Sequence, residues 1–226
     1  MKYKSLIVAS LALTAFFGSN GLHAAATKKE NLYPSFGFTQ EMAGVIANGE
    51  IRADIYNSTG YPYHLRIGAF GGEVLIDPSV GATMSTGIGY KYPFNPDLAM
   101  YGKLFLDSST VGQTNITLGA SYTGNSSRLI YNGNLHLTNA NIANEMTVYL
   151  NGAAFYGLQT KKMPGSTHLG AELSLKLSPS PTETNLFLGA RWQPKKAVLV
   201  DLGLAASVAG TTTVSTPAFV RLNLGF

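Results

Sequence analysis

Apolar residues alternate with small or polar residues along most of the chain after about residue 50. In "HLGAELSLKL", residues 168–177, every second residue from Leu169 to Leu177 is apolar, and His, Gly, Glu, Ser and Lys stand between them. The stretch "AVLVDLGLAASV", residues 197–208, has the same pattern. A period of two is typical of β-strands, whose successive side chains point to opposite faces. The pattern therefore predicts strands with one apolar face and one small or polar face.

Turn residues separate these segments at short intervals, as in "NSTG" at 57–60 and "QPKK" at 193–196. The gaps are too short for a helix, so consecutive strands are predicted to pair as antiparallel hairpins. The predicted strands are 50–57, 62–70, 79–92, 97–107, 113–123, 127–137, 145–157, 167–177, 184–193, 197–208 and 217–226. A twelfth is predicted within 32–47, where Pro34 restricts it to a strand start or an edge.

Composition favours a membrane barrel over a secreted β-sandwich. Only 12% of the residues are charged, against roughly 25% in soluble domains, and Gly, Ser, Thr and Asn dominate the polar faces where a sandwich needs charges. The segments have the length of a tilted strand that crosses a bilayer. Aromatic residues lie near their ends, as at membrane interfaces, at Tyr61, Tyr63, Tyr90, Tyr92, Phe94, Tyr122, Tyr156 and Trp192. We predict an all-β, transmembrane, antiparallel up-and-down barrel of about twelve strands.

The first 26 residues have the pattern of a signal peptide. Lys2 and Lys4 precede the apolar stretch "SLIVASLALTAFFG", and three alanines end at Ala26. Cleavage after Ala26 would leave residues 27–226 as one barrel domain. The alternative is an uncleaved anchor helix, for which the apolar stretch is short. The chain has no cysteine, which excludes a disulfide framework and lipid attachment at a processed N-terminal cysteine.

The last stretch, "FVRLNLGF", alternates to the final residue, with Val220, Leu222, Leu224 and Phe226 apolar. Together with the signal peptide and the amphipathic strands, it resembles the terminal strand of Gram-negative outer-membrane β-barrel proteins. The resemblance implies outer-membrane localisation, both termini in the periplasm, and an even number of strands. It also implies that the assembly machinery reads those four residues, and that outer-membrane lipid and lipopolysaccharide surround the barrel.

In such a barrel the polar faces line the lumen. The candidate lumen charges are the basic Arg52, Arg66, Lys91, Lys103, Arg128, Lys176, Arg191 and Arg221, the acidic Asp54, Asp107, Glu172 and Asp201, and His64. They can form interior ion pairs that hold a narrow barrel together. They can also line a channel, in which eight basic against four acidic residues would attract anions. We predict a narrow porin-like channel for small solutes, with a non-conducting structural or surface-binding barrel as the alternative.

Strand registers counted from the turns predict which charges meet. Glu172 is expected opposite Arg191, and Asp201 one diagonal step from both Arg191 and Arg221. Asp54 is expected near His64 and Arg66.

The sequence predicts no enzyme, cofactor or metal site. Outer-membrane barrels that hydrolyse lipids or peptides need a base beside a nucleophile or a water. None of His64, His136 and His168 is predicted to have both a serine and a carboxylate beside it, and metal-ligand spacings are absent. The net charge of +4 comes from scattered basic residues, so nucleic acid is not an expected partner.

Overall fold

The computed structural model describes the chain from residue 37 to residue 226 with seven internal gaps. The described ranges are 37–56, 63–77, 85–107, 114–139, 146–158, 164–178, 183–210 and 218–226. The predicted signal peptide, the first part of the predicted strand at 32–47, and Tyr61 lie outside these residues.

Twelve β-strands account for most of the described chain. They are β1 (Ile51–Tyr56), β2 (Tyr63–Ala69), β3 (Gly72–Asp77), β4 (Ser85–Asn95), β5 (Leu98–Asp107), β6 (Thr114–Ser126), β7 (Leu129–Asn139), β8 (Thr147–Leu158), β9 (Ser166–Ser178), β10 (Glu183–Lys195), β11 (Val198–Ala209) and β12 (Ala218–Gly225). The described residues include no helix that is long and apolar enough to cross a membrane.

The strands form one closed antiparallel barrel, as predicted. Each strand pairs with the next along the chain, and β1 pairs with β12 to complete the ring. Backbone hydrogen bonds continue this seam to the last residue, with Ile51 N at 3.2 Å from Phe226 O and Phe226 N at 2.8 Å from Ile51 O. Closure leaves no sheet edge with unpaired N–H and C=O groups.

The two ends of the barrel differ. At one end, the turn end, β1 begins, the chain finishes, and short connections join strand pairs at 70–71, 96–97, 127–128, 159–165 and 196–197. At the other, the loop end, the strands connect through 57–62, 78–84, 108–113, 140–146, 179–182 and 210–217, which lie wholly or mostly outside the described residues. The chain thus begins and ends its barrel at the end where four of the five connections have only two residues.

The outer face is apolar, as the alternation predicts. Leu169, Leu202 and Leu204 are 51%, 52% and 64% exposed, and outward leucine, isoleucine, methionine and valine side chains occur on strands all round the barrel. Outward aromatic residues collect near the turn end, where the rings of Tyr92 and Phe94 lie 5.3 Å apart and those of Tyr122 and Tyr131 lie 6.4 Å apart. Small and polar residues alternate with them and point inward.

The twelfth strand is not the predicted one. All eleven strands predicted after residue 50 overlap observed strands, but the remaining strand is β3, not a segment within 32–47. Phe70 and Gly71 form a tight β2–β3 turn with φ of 56° and 78°, and two positive φ values suit a two-residue hairpin. The strand was missed because Val74, Leu75 and Ile76 form an unbroken apolar run that conceals its alternation.

Candidate functional site

Residues 37–50, here called the inner segment, run through the interior of the barrel before β1 begins. Phe38, Met42 and Ala43 are at most 1% exposed, and Ile46 is 8% exposed. At the turn end Gly49 N donates to Gly68 O at 2.8 Å, which leads the chain into β1. The inner segment therefore fills the part of the lumen that a channel would use.

Glu41 of the inner segment is held by three cations of the barrel wall. Its carboxylate lies 3.0 Å from Arg66 Nη1, 3.2 Å from Lys91 Nζ and 3.1 Å from Lys103 Nζ. Burial would raise the pKa of Glu41, but Arg66, Lys103 and Lys91 together hold it well below its usual range. Glu41 is therefore ionised at neutral pH and anchors the inner segment electrostatically.

The start of the inner segment is bound through its backbone. Glu172 accepts hydrogen bonds from the N–H groups of Phe38 and Thr39 and from the Thr39 hydroxyl, the last two at 2.8 and 2.9 Å. Arg191 and Arg221 donate to the carbonyl oxygen of Gly37 at 2.8 and 2.6 Å. These side chains satisfy backbone groups that a buried segment outside the sheet would otherwise leave unpaired.

Neutral side chains of β6 and β7 bind the middle of the inner segment. Ser121 and Asn134 donate to the carbonyl oxygen of Glu41 at 2.8 and 3.1 Å. Thr123 Oγ1 accepts from the N–H of Ala43 at 2.8 Å. The serine, threonine and asparagine residues of the inner face thus bind the chain itself.

Phe38 places an aromatic cluster in the interior. Its ring centroid lies 4.9 Å from that of Phe155 and 5.2 Å from that of Phe219. The guanidinium carbon of Arg191 lies 4.7 Å from the centroid of Phe155, a cation–π contact. The interior is therefore packed partly like a protein core.

Two of the three predicted charge clusters are confirmed. Asp201 contacts both Arg191, at 2.9 Å, and Arg221, and it stands directly opposite each of them rather than on the diagonal. The second cluster surrounds Asp54, which is paired in register with His64 and lies 3.5 Å from Arg66 Nε.

The predicted Glu172–Arg191 pair is wrong. Glu172 stands opposite Phe187, and Arg191 stands opposite His168. The β9–β10 pairing begins with Lys176 opposite Glu183, an ion pair of 3.2 Å, so the register differs by four residues from the predicted one. This register leaves Glu172 to bind the inner segment.

Arg128 does not line the lumen. It lies in the β6–β7 turn and is exposed, because β6 extends to Ser126 and Ser127 takes the positive φ of the turn. Arg52 pairs with Glu50 at 2.7 Å near the turn end, and the side chain of Asp107 lies outside the described residues. Sequence reasoning thus located most, but not all, of the interior charges.

The predicted excess of positive charge is wrong for the described interior. Ion pairs there join seven Lys and Arg residues to seven Asp and Glu residues. The basic residues are Arg52, Arg66, Lys91, Lys103, Lys176, Arg191 and Arg221, and the acidic ones are Glu41, Glu50, Asp54, Glu73, Asp77, Glu183 and Asp201. The prediction missed acids on the inner segment and on β3, the two regions whose structure it assigned incorrectly, and it also missed Glu183 at the start of β10.

The C-terminal strand has the predicted orientation. Val220 and Phe226 are 46% and 76% exposed, Leu222 and Leu224 share their outward face, and Arg221 is buried inside. The role of Val220, Leu222, Leu224 and Phe226 as an assembly signal stays a prediction.

A polar cavity of about 220 Å³ lies between the inner segment and strands β5 to β9, on the side of the loop end. Thr39, Gln40 and Glu41 contribute its inner-segment side. His136 lines it, with its ring stacked on Tyr149 at a centroid distance of 4.6 Å.

The histidines lie apart from one another. His64 Nδ1 contacts Asp77 Oδ1 at 2.7 Å, whereas His136 contacts the amides of Asn134 and Asn151. In the described part of the chain no group of three His, Asp or Glu residues could hold a metal ion.

Searches with the sequence find no matching protein-family model and no curated protein with significant similarity.

Proposed function

We propose that this protein is an integral outer-membrane β-barrel of a Gram-negative bacterium and a narrow solute channel closed by its own inner segment. The observation that carries the proposal is the inner segment itself, which occupies the lumen and is bound by wall residues from β2 to β12. A cleaved signal peptide and the outer-membrane assembly machinery would deliver it, and lipid and lipopolysaccharide would surround it.

The outer surface supports the membrane location. Large exposed apolar surfaces are unfavourable in water, and here they surround the barrel on the outward faces of its strands. The aromatic residues near the turn end match an interfacial girdle. Short turns and chain ends at one end match the periplasmic side of outer-membrane barrels.

The number of strands supports a lumen too wide for the wall side chains alone to fill. Eight strands enclose a space that side chains fill, whereas sixteen leave an aqueous channel. In this twelve-strand barrel, a backbone segment with Phe38 and Met42 fully buried fills the middle. Removal of that segment should therefore leave a passage.

The balance of interior charges supports weak charge selectivity rather than a preference for anions. Since seven basic and seven acidic residues pair in the described interior, a solute would meet no strong net charge. We expect small neutral solutes to pass most readily.

Planar-bilayer recording of the full-length barrel and of a variant lacking residues 27–48 tests the proposal. We expect the full-length protein to be mostly closed and the deletion variant to conduct steadily. A synthetic peptide of residues 36–48 should reduce that conductance, because the wall groups that bind the inner segment remain in place. Heat-modifiable gel migration would check that both proteins form folded barrels.

A folded deletion variant that stays silent would contradict the channel. The non-conducting binding barrel would then be the better candidate, because the cavity on the loop-end side does not depend on conduction. Equal steady conductance of both proteins would contradict closure by the inner segment.

The proposed role is not enzymatic. No histidine in the described part of the chain forms a hydrogen bond with a serine or threonine hydroxyl. Unchanged lipid composition and peptide substrates after incubation with the purified protein would agree with this role.

A further inference from the structure

The cavity on the loop-end side of the inner segment contains a buried polar group that no described residue satisfies. Asn151 lines it and is 5% exposed. Its Nδ2 lies 3.2 Å from His136 Nδ1, but its Oδ1 has no hydrogen-bond partner among the described residues. An unpaired buried amide oxygen is costly, so the site favours an occupant that donates a hydrogen bond.

The described lining of the cavity carries no net charge. Among the described residues that line it, the one ammonium group, on Lys103, and the one carboxylate, on Glu41, lie 3.1 Å apart and neutralise each other. Lys103 also lies 3.4 Å from Asp77, which in turn contacts His64. An additional ion would have to lose its hydration without gaining an unpaired counter-charge.

The remaining lining both donates and accepts hydrogen bonds. It consists of amides such as Asn134 and Asn151 and of hydroxyls such as Ser174 and Thr138, beside the aromatic rings of Tyr101, Phe105 and His136. Amides and hydroxyls complement hydroxyl groups, which also donate and accept. Aromatic faces can pack against the C–H groups of a polyol.

Size limits the occupant to one small molecule. A volume of about 220 Å³ corresponds to about seven water molecules at about 30 Å³ each. An oligosaccharide is too large for this space, whereas a single sugar or cyclic polyol is of the right order.

We infer that this cavity binds a small, uncharged, polyhydroxylated molecule between the inner segment and strands β5 to β9. Asn151 and Asn134 contribute hydrogen bonds, and the Glu41–Lys103 pair excludes ions. The inference rests on the proposed function only in placing the loop end outside the cell, because binding itself requires no conductance.

The inner segment is part of this site. Asn134 donates to the carbonyl oxygen of Glu41 at 3.1 Å and accepts from the hydroxyl of Tyr101 at 3.0 Å. An occupant that contacts both the barrel wall and the inner segment would therefore favour the arrangement in which the inner segment is bound inside the barrel.

The test is equilibrium binding to the purified full-length barrel in detergent, with tritiated D-glucose, myo-inositol and glycerol as probes. D-glucuronate and D-glucosamine serve as charged competitors. We expect saturable binding of at least one neutral probe, with both charged analogues at least tenfold weaker. Asn151→Ala should weaken binding at least tenfold.

Asn185→Ala is the matched control. Asn185 is also on the inner face, and its Oδ1 also has no hydrogen-bond partner in the part of the chain that the structure describes, but it does not line the cavity. Ser174→Leu, which fills the cavity, gives a second variant in case Asn151→Ala fails to fold. Gel mobility before and after heating would establish that each variant forms a barrel.

Absence of saturable binding for all three neutral probes would overturn the inference. Tighter binding of a charged analogue, or equal losses in Asn151→Ala and Asn185→Ala, would also overturn it. Binding by a barrel that is silent in bilayers would contradict only the channel, and conductance without binding would contradict only this site.

Discussion

At the scale of single residues, Glu41 is the most consequential side chain of the interior. It brings the charge that Arg66, Lys91 and Lys103 share, and Arg66 and Lys91 also contact Glu73 on β3. Removal of one partner from a buried ionic cluster typically costs about 3–5 kcal/mol, since the remaining charges stay buried. The binding of the inner segment inside the barrel should therefore depend on the ionisation of Glu41.

This dependence gives a prediction for pH. Because the pKa of Glu41 is lowered on folding, its contribution to stability is complete above its ordinary value of 4.5. The contribution is lost only as the pH falls through the lowered value. In planar bilayers we expect the full-length barrel to stay closed from neutral pH to about 4.5 and to open on further acidification.

Glu41→Gln should open at neutral pH and should respond less to acid. Glu50→Gln is the control, because Glu50 pairs with Arg52 near the turn end and does not contact the three cations. Opening of the unmodified barrel between neutral pH and 4.5, or a closed Glu41→Gln variant at neutral pH, would contradict this role for Glu41.

At the scale of elements, the inner segment and β2 approach each other closely. A Cβ atom on Gly68 would overlap the carbonyl group of Ala47 and meet Ile46 O, and its nearest contacts are all with the inner segment. Gly68→Val should therefore displace the inner segment while leaving the strand ladder intact. We expect more frequent channel openings and faster proteolysis within residues 37–50.

Gly133→Val is the matched control for this substitution. A Cβ on Gly133 would meet no atom within 4 Å, and the residue lies exposed on β7. Equal effects of the two substitutions would indicate a general loss of barrel stability and would contradict the specific contact.

The elements also show how far the sequence allowed prediction. Regular alternation located the long strands and the faces of β9, β11 and β12, because a period of two needs no tertiary information. It could not locate β3, whose apolar run is continuous, or the inner segment, whose weak alternation resembled a strand. Glu172 was predicted inside, but its partner depended on a register that the Lys176–Glu183 pair sets.

The sequence also could not predict that side chains of the inner face bind the inner segment. The sequence predicts only that residues such as serine and asparagine dominate the polar faces, and only the folded chain shows that Ser121 and Asn134 bind the carbonyl oxygen of Glu41. A contact between residues that lie 80 or more positions apart produces no periodic pattern in the sequence.

At the scale of the whole molecule, the terminal residue takes part in closure. Phe226 exchanges two backbone hydrogen bonds with Ile51, and its side chain is 76% exposed on the outer surface. Deletion of Phe226 should reduce insertion in cells much more than Lys176→Gln, which alters a lumen charge at the loop end. The amount of heat-modifiable protein in outer-membrane fractions measures this difference, and equal amounts would refute the predicted signal.

The position of the inner segment inside the barrel also constrains the order of folding. Phe38 near its start is bound by Glu172 and Arg221, which lie 134 and 183 residues further along the chain. Contacts between such distant residues require large loops to close first, and folds dominated by them form slowly. The residues that precede the first strand can therefore complete their contacts only after the last strand has arrived, so the part of the described chain that comes first in the sequence is among the last to become ordered.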